Sequence, residues 1–289
     1  MRTLALALFL TATGSALAAE NDSGGVGLFS RADDSSVVVT PGIWFTQGFS
    51  ETKTEFSETG KVRQEANLLA TADLELRVPG HPWLALWGRG AYTVANSKVS
   101  SDAAKDINST FTMAEANLVL TLAGRGSPIA ENDDYPRSRL DLYLGERYFR
   151  EQYSAELTGD VTREVDGNWV GSQIGFRGEW YLQDTYDYPE LRGWSLSLRG
   201  AVMPWATYES ADRRDTVKTF EQKSDRAYGG DAAAAVNWRK GPVIFSLGFE
   251  ALWLRTDQGH EKDALGNEDD LLEARSNRYG AFLTFALNF

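Results

Sequence analysis

Through most of this chain, apolar side chains recur at every second position. In "NLLATADLELRV" Leu68, Ala70, Ala72, Leu74, Leu76 and Val78 take one side, while Asn67, Thr71, Asp73, Glu75 and Arg77 take the other. A period of two belongs to a strand whose faces meet unlike surroundings. The same pattern runs through "LALWGRGAYTV", "TMAEANLVLTLAG", "RLDLYLGER", "SQIGFRGEWYL", "WSLSLRGAV", "YGGDAAAAVNW" and "VIFSLGFEALW". It returns in the ending "GAFLTFALNF", where Phe289, Leu287, Phe285, Leu283, Ala281 and Tyr279 share a face and Phe282 is the one large apolar residue opposite them. With an earlier strand around "VVVTPGIWFTQG", interrupted by Pro41 and apolar on both faces, ten strands are predicted.

No apolar run is long enough to span a bilayer as a helix. The longest, Leu4 to Leu10, follows Arg2 and precedes small residues ending in Ala16-Leu17-Ala18, the three-part layout of a secretory signal peptide. Cleavage is expected after Ala18 or Ala19, giving a signal peptide at 1–18, a periplasmic lead-in at 19–35 and a strand-rich body at 36–289. The 289-residue chain has no cysteine, so neither disulfides nor thiolate chemistry is available, and its two histidines, His81 and His260, are too few for a histidine zinc cluster. No cofactor and no metal are expected. A net charge of −12 argues against nucleic acid as a partner.

Alternation alone fits either a secreted soluble barrel or sandwich, apolar inside, or a membrane barrel, apolar outside. The connectors discriminate. Tight turns at Pro79–Pro82 and Arg239–Pro242, and medium ones near 127–136 and 183–193, alternate with longer polar stretches through 51–63, 97–109, 151–168, 210–225 and 256–275. Short periplasmic turns and long outer loops are the rhythm of an outer-membrane barrel. Trp83, Tyr92, Trp169, Trp180, Trp194, Tyr208, Tyr228, Trp238, Trp253 and Tyr279 cluster at strand ends, where amphipathic rings settle at headgroup level. The expectation is therefore all-β: a single antiparallel transmembrane β-barrel of about ten strands in the bacterial outer membrane. Lipid and lipopolysaccharide are its expected surroundings. Phe289, with Leu287 and Phe285, resembles the C-terminal signal read by the barrel-assembly machinery.

With apolar residues facing lipid, the lumen should receive Asp73, Glu75, Arg77, Arg89, Glu115, Asp141, Arg147, Arg177, Glu179, Arg199, Asp231, Glu250 and Arg278. Isolated charges in a low dielectric are costly, so these should pair. Barrels near eight strands fill their interiors, so a narrow lumen is expected, either a wall held by ion pairs or a selective pore. The acidic run Asp257 to Glu273 lacks the spacing of an EF-hand and reads as a solvated loop.

Chain size, ten strands and long outer loops resemble the omptin family of outer-membrane proteases. Locally the resemblance lies in "LGERYFREQYSAELTG", in the strand-loop-strand from Ser172 to Tyr208, and in the closing strand. It implies the barrel architecture, and for an active member an Asp–His pair facing an Asp pair. The segment where the Asp-x-His would fall, "YESADRRDTV", has no histidine, and the one candidate pair left is Asp257 with His260. Three functions follow: a non-enzymatic surface protein presenting five polar loops, a narrow substrate-selective channel, or a diverged hydrolase.

Overall fold

The computed structural model describes residues 37–54, 62–95, 99–101, 104–124, 138–157, 161–182, 189–214, 217–240, 243–256, 258–263 and 265–288. Ten long strands build the wall: β1 (Val37–Thr54), β2 (Val62–Val78), β3 (His81–Ala95), β5 (Ala104–Ala123), β6 (Ser138–Leu157), β7 (Val161–Tyr181), β8 (Trp194–Arg214), β9 (Val217–Lys240), β10 (Val243–Thr256) and β12 (Glu268–Asn288). Two short ones, β4 (Val99–Ser101) and β11 (Gly259–Asp263), extend it at the outer rim. Each long strand pairs antiparallel with its neighbours, and β1 pairs β12, so the sheet closes on itself. Closure leaves no unpaired edge, which hydrocarbon requires of any spanning sheet. Among the described residues no helix is long and apolar enough to cross a membrane. The expected signal peptide and lead-in, together with Phe289 and Asp257, lie outside the described residues.

The register fixes the shape. From Val39, register partners run through Leu74, Gly88, Ala116, Glu146 and Ser172 to Trp205. There Pro204 and Trp205 together oppose the single residue Tyr228, a bulge that accommodates a proline lacking its N–H. The row continues through Arg255 and Arg275 to Glu51, so one circuit climbs twelve residues along β1. Stagger of this kind tilts the strands by roughly 35–45°. Closure also demands close backbone approach at the seam. A Cβ on Gly280 would stand 1.7 Å from the carbonyl oxygen of Phe45, and only glycine fits there.

The faces divide as lipid demands. Leu74, Leu86, Leu118, Leu144, Phe176, Leu198, Leu247 and Leu283 are exposed on the outside, while Asp141, Glu115, Arg147, Asp231, Glu250 and Arg278 are buried inside. Outward aromatics form a ring at each boundary: Tyr92, Tyr148, Trp205, Tyr228, Trp253 and Tyr279 above, Trp180, Trp194 and Trp238 below, while Trp83 packs edge-on against His81 at the start of β3. Two more of the residues expected in these rings belong elsewhere. Trp169 and Tyr208 are 2% and 5% exposed and pack on one another inside the barrel, 4.4 Å between ring centroids and tilted by 43°. They sit on the inward parity of β7 and β8, and being aromatic at a strand end does not decide which face a ring takes.

The outer connections are mostly strand. Spanning takes about 9–11 residues per strand, yet β6, β7, β8 and β9 hold 20, 21, 21 and 24. The surplus rises above the outer ring as paired extensions. Part of the acidic run after Asp257 likewise forms the hairpin of β11 and β12.

Candidate functional site: the filled lumen

Inward residues fill the lumen in layers. The lowest is ionic and comprises two connected groups. In the first, Arg89 holds Glu250 through two hydrogen bonds at 2.7 and 2.6 Å and lies 3.4 Å from Asp73 and 3.8 Å from Glu115. Arg199 reaches the same Glu250 at 2.7 Å and Asp231 at 3.4 Å. Arg147 donates to Glu115 at 2.8 Å and to Asp231. The second group joins Arg177 to Asp141 and Glu75, both at 2.7 Å, with Arg139 on Asp141 at 2.7 Å and Arg77 3.6 Å from Glu75. Together they contain six carboxylates and six guanidiniums, so this layer is balanced in charge. Pairing with hydrogen bonds is what makes buried charge tolerable.

Thus eleven of the thirteen charged residues placed in the lumen by sequence parity meet in these two groups. Glu179 stands apart, accepting from Tyr181 at 3.2 Å and from Ser195. Arg278 is also separate: it crosses from β12 to Glu151 on β6 at 3.1 Å. Arg139, Glu151 and Gln173, which donates to Glu115 at 2.7 Å, were not among the residues singled out, although their positions two residues from Asp141, Phe149 and Gly175 put them on the inward parity.

Above the ionic layer lies an apolar one that the polar-lumen expectation did not contain. Trp44, Leu69, Phe111 and Phe149 are 0% exposed, and Met113, Trp169, Met203, Tyr208, Leu252 and Leu254 complete a single cluster with them. Several are chain neighbours of the upper aromatic ring: Ala91 precedes Tyr92, Phe149 follows Tyr148, Ala227 precedes Tyr228, and Leu252 and Leu254 flank Trp253. Adjacent residues on a strand share a height and point to opposite sides. The plug is therefore level with the outer headgroup boundary. Its mark in the sequence is the local failure of alternation in "WF", "YF" and "LWL".

A small polar layer caps the plug. Glu151 accepts from Ser276 at 2.6 Å and from Ser50 at 2.8 Å, and the Arg278 guanidinium stacks 4.1 Å from the Phe111 centroid. Outside, on β11, His260 is exposed, its Nδ1 3.9 Å from Asp270, and it pairs in register with Lys223. Below the ionic layer, a cavity of about 260 Å³ runs toward the periplasmic mouth. Of the terminal residues expected to guide assembly, Phe285 packs edge-on against Phe245 at 5.2 Å on the outer face, and Leu287 pairs with Val39 and Val243.

No protein-family model and no curated protein sequence matches the chain. Among solved structures, it is similar to the outer membrane protease OmpT from Escherichia coli, with TM-score 0.65 at 10% identity over 89% of this chain and 96% of that one. Two weaker likenesses are to the translocator domain of the autotransporter NalP from Neisseria meningitidis, TM-score 0.43 at 10% identity over 99% and 95%, and to neisserial surface protein A (NspA), TM-score 0.32 at 9% identity over 88% and 97%. The first likeness carries the fold, and the other two carry no argument. The fold is that of a bacterial outer-membrane β-barrel.

Proposed function

We propose that this protein is a non-conducting, non-enzymatic barrel of the bacterial outer membrane, whose wall lifts paired strand extensions and their polar tips above the bilayer. One observation carries the reading: an apolar plug of fully buried side chains fills the lumen above the buried pairs of Arg147 with Glu115 and Asp231. Arg147 and Glu115 leave almost no accessible surface in the ionic layer, and Trp44, Phe111 and Phe149 leave none in the plug above it. A pore needs a continuous wetted path, and the dry plug interrupts one. Against the hydrolase reading stands the setting of His260, exposed and without the buried orienting contacts that tune a general base.

Planar-bilayer recording of the purified, folded protein tests this. Silence is expected, and stable unitary conductance from a homogeneous preparation would overturn the reading. Peptide and ester hydrolysis assays should show no turnover that His260→Ala removes. The partners that follow from this function are lipopolysaccharide, against the outer ring and the polar outer face above it, and the assembly machinery at the chain's C-terminal end.

A further inference from the structure

Below the ionic layer the wall has two chemistries. Small and apolar side chains line the side built from β9, β10, β12 and β1: Ala233, Ala235, Ile244, Phe282 and Ala286. The opposite side presents the lower ionic group, with Asp141, Arg177 and Glu75 in the lead and the edges of Asp73 and Arg199 above them. Phe282, out of place on the polar parity of the last strand, belongs to the apolar side of this cavity. The plug above is filled with Trp, Phe and Tyr, whereas here alanines keep about 260 Å³ open. A wall that needed filling alone has no use for Ala233 and Ala235.

We propose that this cavity binds a neutral polyhydroxylated ring of monosaccharide size that enters from the periplasmic end. Charge selects neutrality. Five carboxylates and four guanidiniums line the cavity, and the Arg239 guanidinium beside it acts on Glu179, so the charges balance and a free ion of either sign meets little excess field and loses its hydration. Hydrogen-bonding capacity selects hydroxyls. A carboxylate has about four lone-pair sites and a guanidinium five N–H groups, more than their mutual pairing uses, and a hydroxyl both donates and accepts. Ser197, Ser246 and Asn237 add neutral partners on the rim of the same space.

The apolar side selects a ligand with a C–H face. A wholly apolar molecule would strip water from the charged wall without replacing its hydrogen bonds, at a cost of roughly 1–3 kcal/mol per group. The size selects one ring, since ligand pockets for larger molecules start near about 300 Å³.

The test uses the full-length protein folded in lipid nanodiscs with isotopically labelled alanine methyls. D-glucose, D-galactose and N-acetyl-D-glucosamine are titrated beside the charged analogues D-glucosamine and D-glucuronate. At least one neutral sugar should saturate in the millimolar range or tighter and shift the methyls of Ala233 and Ala235 while leaving Ala274, in the plug, unmoved. The charged analogues should bind at least tenfold more weakly. Ala235→Trp should abolish the response, and Ser246→Ala, which removes only the hydroxyl and adds no bulk, should weaken it severalfold even if the tryptophan variant fails to fold. Silence from every neutral sugar up to tens of millimolar, tightest binding by a charged analogue, or shifts confined to the outer strands would each overturn the proposal.

Discussion

Arg147 is the residue whose loss the fold should feel most sharply. It lies 2% exposed and holds Glu115 and Asp231, which sit on opposite sides of the lumen on β5 and β9. Replacing it with methionine preserves much of the length and removes the charge. Glu115 then keeps the Gln173 amide at 2.7 Å and Arg89 at 3.8 Å, and Asp231 keeps Arg199 at 3.4 Å, so neither carboxylate is wholly abandoned. Breaking one side of a buried pair costs about 3–5 kcal/mol, and with these remaining partners the lower end, about 3 kcal/mol, is expected. That is on the order of a hundredfold in the unfolding equilibrium, at about 1.4 kcal/mol per decade. Urea unfolding in liposomes, followed by tryptophan fluorescence, reads it as a lower midpoint at constant slope. The penalty is uncompensated charge, not lost packing. The triple variant Arg147→Met, Glu115→Gln, Asp231→Asn should therefore recover at least half of the loss. A single variant within about 1 kcal/mol of the parent, or a triple no better than the single, would refute the ionic account of the layer.

Three further outcomes follow from the wall and the rim. Leu247, 63% exposed on the outer face of β10, meets hydrocarbon, so Leu247→Arg should cost about 2–4 kcal/mol in the same titration, while Leu265→Arg at the β11–β12 tip should change stability by less than about 0.5 kcal/mol. Equal effects at both sites would place the bilayer wrongly. At the seam, Gly280→Ala should lower stability by about 1–3 kcal/mol through forced separation of β1 and β12, whereas Gly90→Ala, whose Cβ would lie 3.8 Å from its nearest neighbour, should be close to silent. At the outer tip, the side-chain amide and backbone N–H of Asn267, at 2.7 and 2.8 Å, hold the Asp263 carboxyl below its ordinary range. The folded value is the lower one, so the turn's contribution is present above the unfolded value and disappears as pH falls through the folded one. An amide titration of Asn267 by NMR should have its midpoint below that of a free aspartate, and a midpoint at or above it would contradict the turn.

Faces were legible in the chain and contents were less so. Leu74 and Glu75, or Leu118 and Asn117, are assigned by parity alone, because a strand between lipid and a polar interior leaves each position one environment. Strand length was not legible: above the bilayer both faces of β6 to β9 meet polar surroundings, so "REQYSAEL" reads as loop while Arg150 pairs with Asp166 and Gln152 continues the ladder. The plug hid for a related reason. At the headgroup boundary the outside wants aromatic rings and the inside wants filling, so Tyr148 and Phe149 stand side by side, and period-two reasoning sees only a break. Trp169 and Tyr208 fit boundary rings by sequence alone because the same residue types serve both roles at one height.

That coincidence of height has a consequence for the charges below. The plug keeps bulk water on the outer side away from Arg147, Glu115, Asp231 and Glu250, so their attractions act in a medium of lower dielectric, where each hydrogen bond is stronger and each unpaired charge dearer. The two layers therefore stabilise one another: the ionic one braces β2, β3 and β5 to β10 across the lumen, and the apolar one removes the solvent that would compete for its ions. Opening a path would require the plug to part first, and the water then admitted would weaken the very pairs that hold the wall. A barrel selected to conduct gains nothing from such coupling, whereas one selected to hold tall strand extensions rigidly above a membrane does.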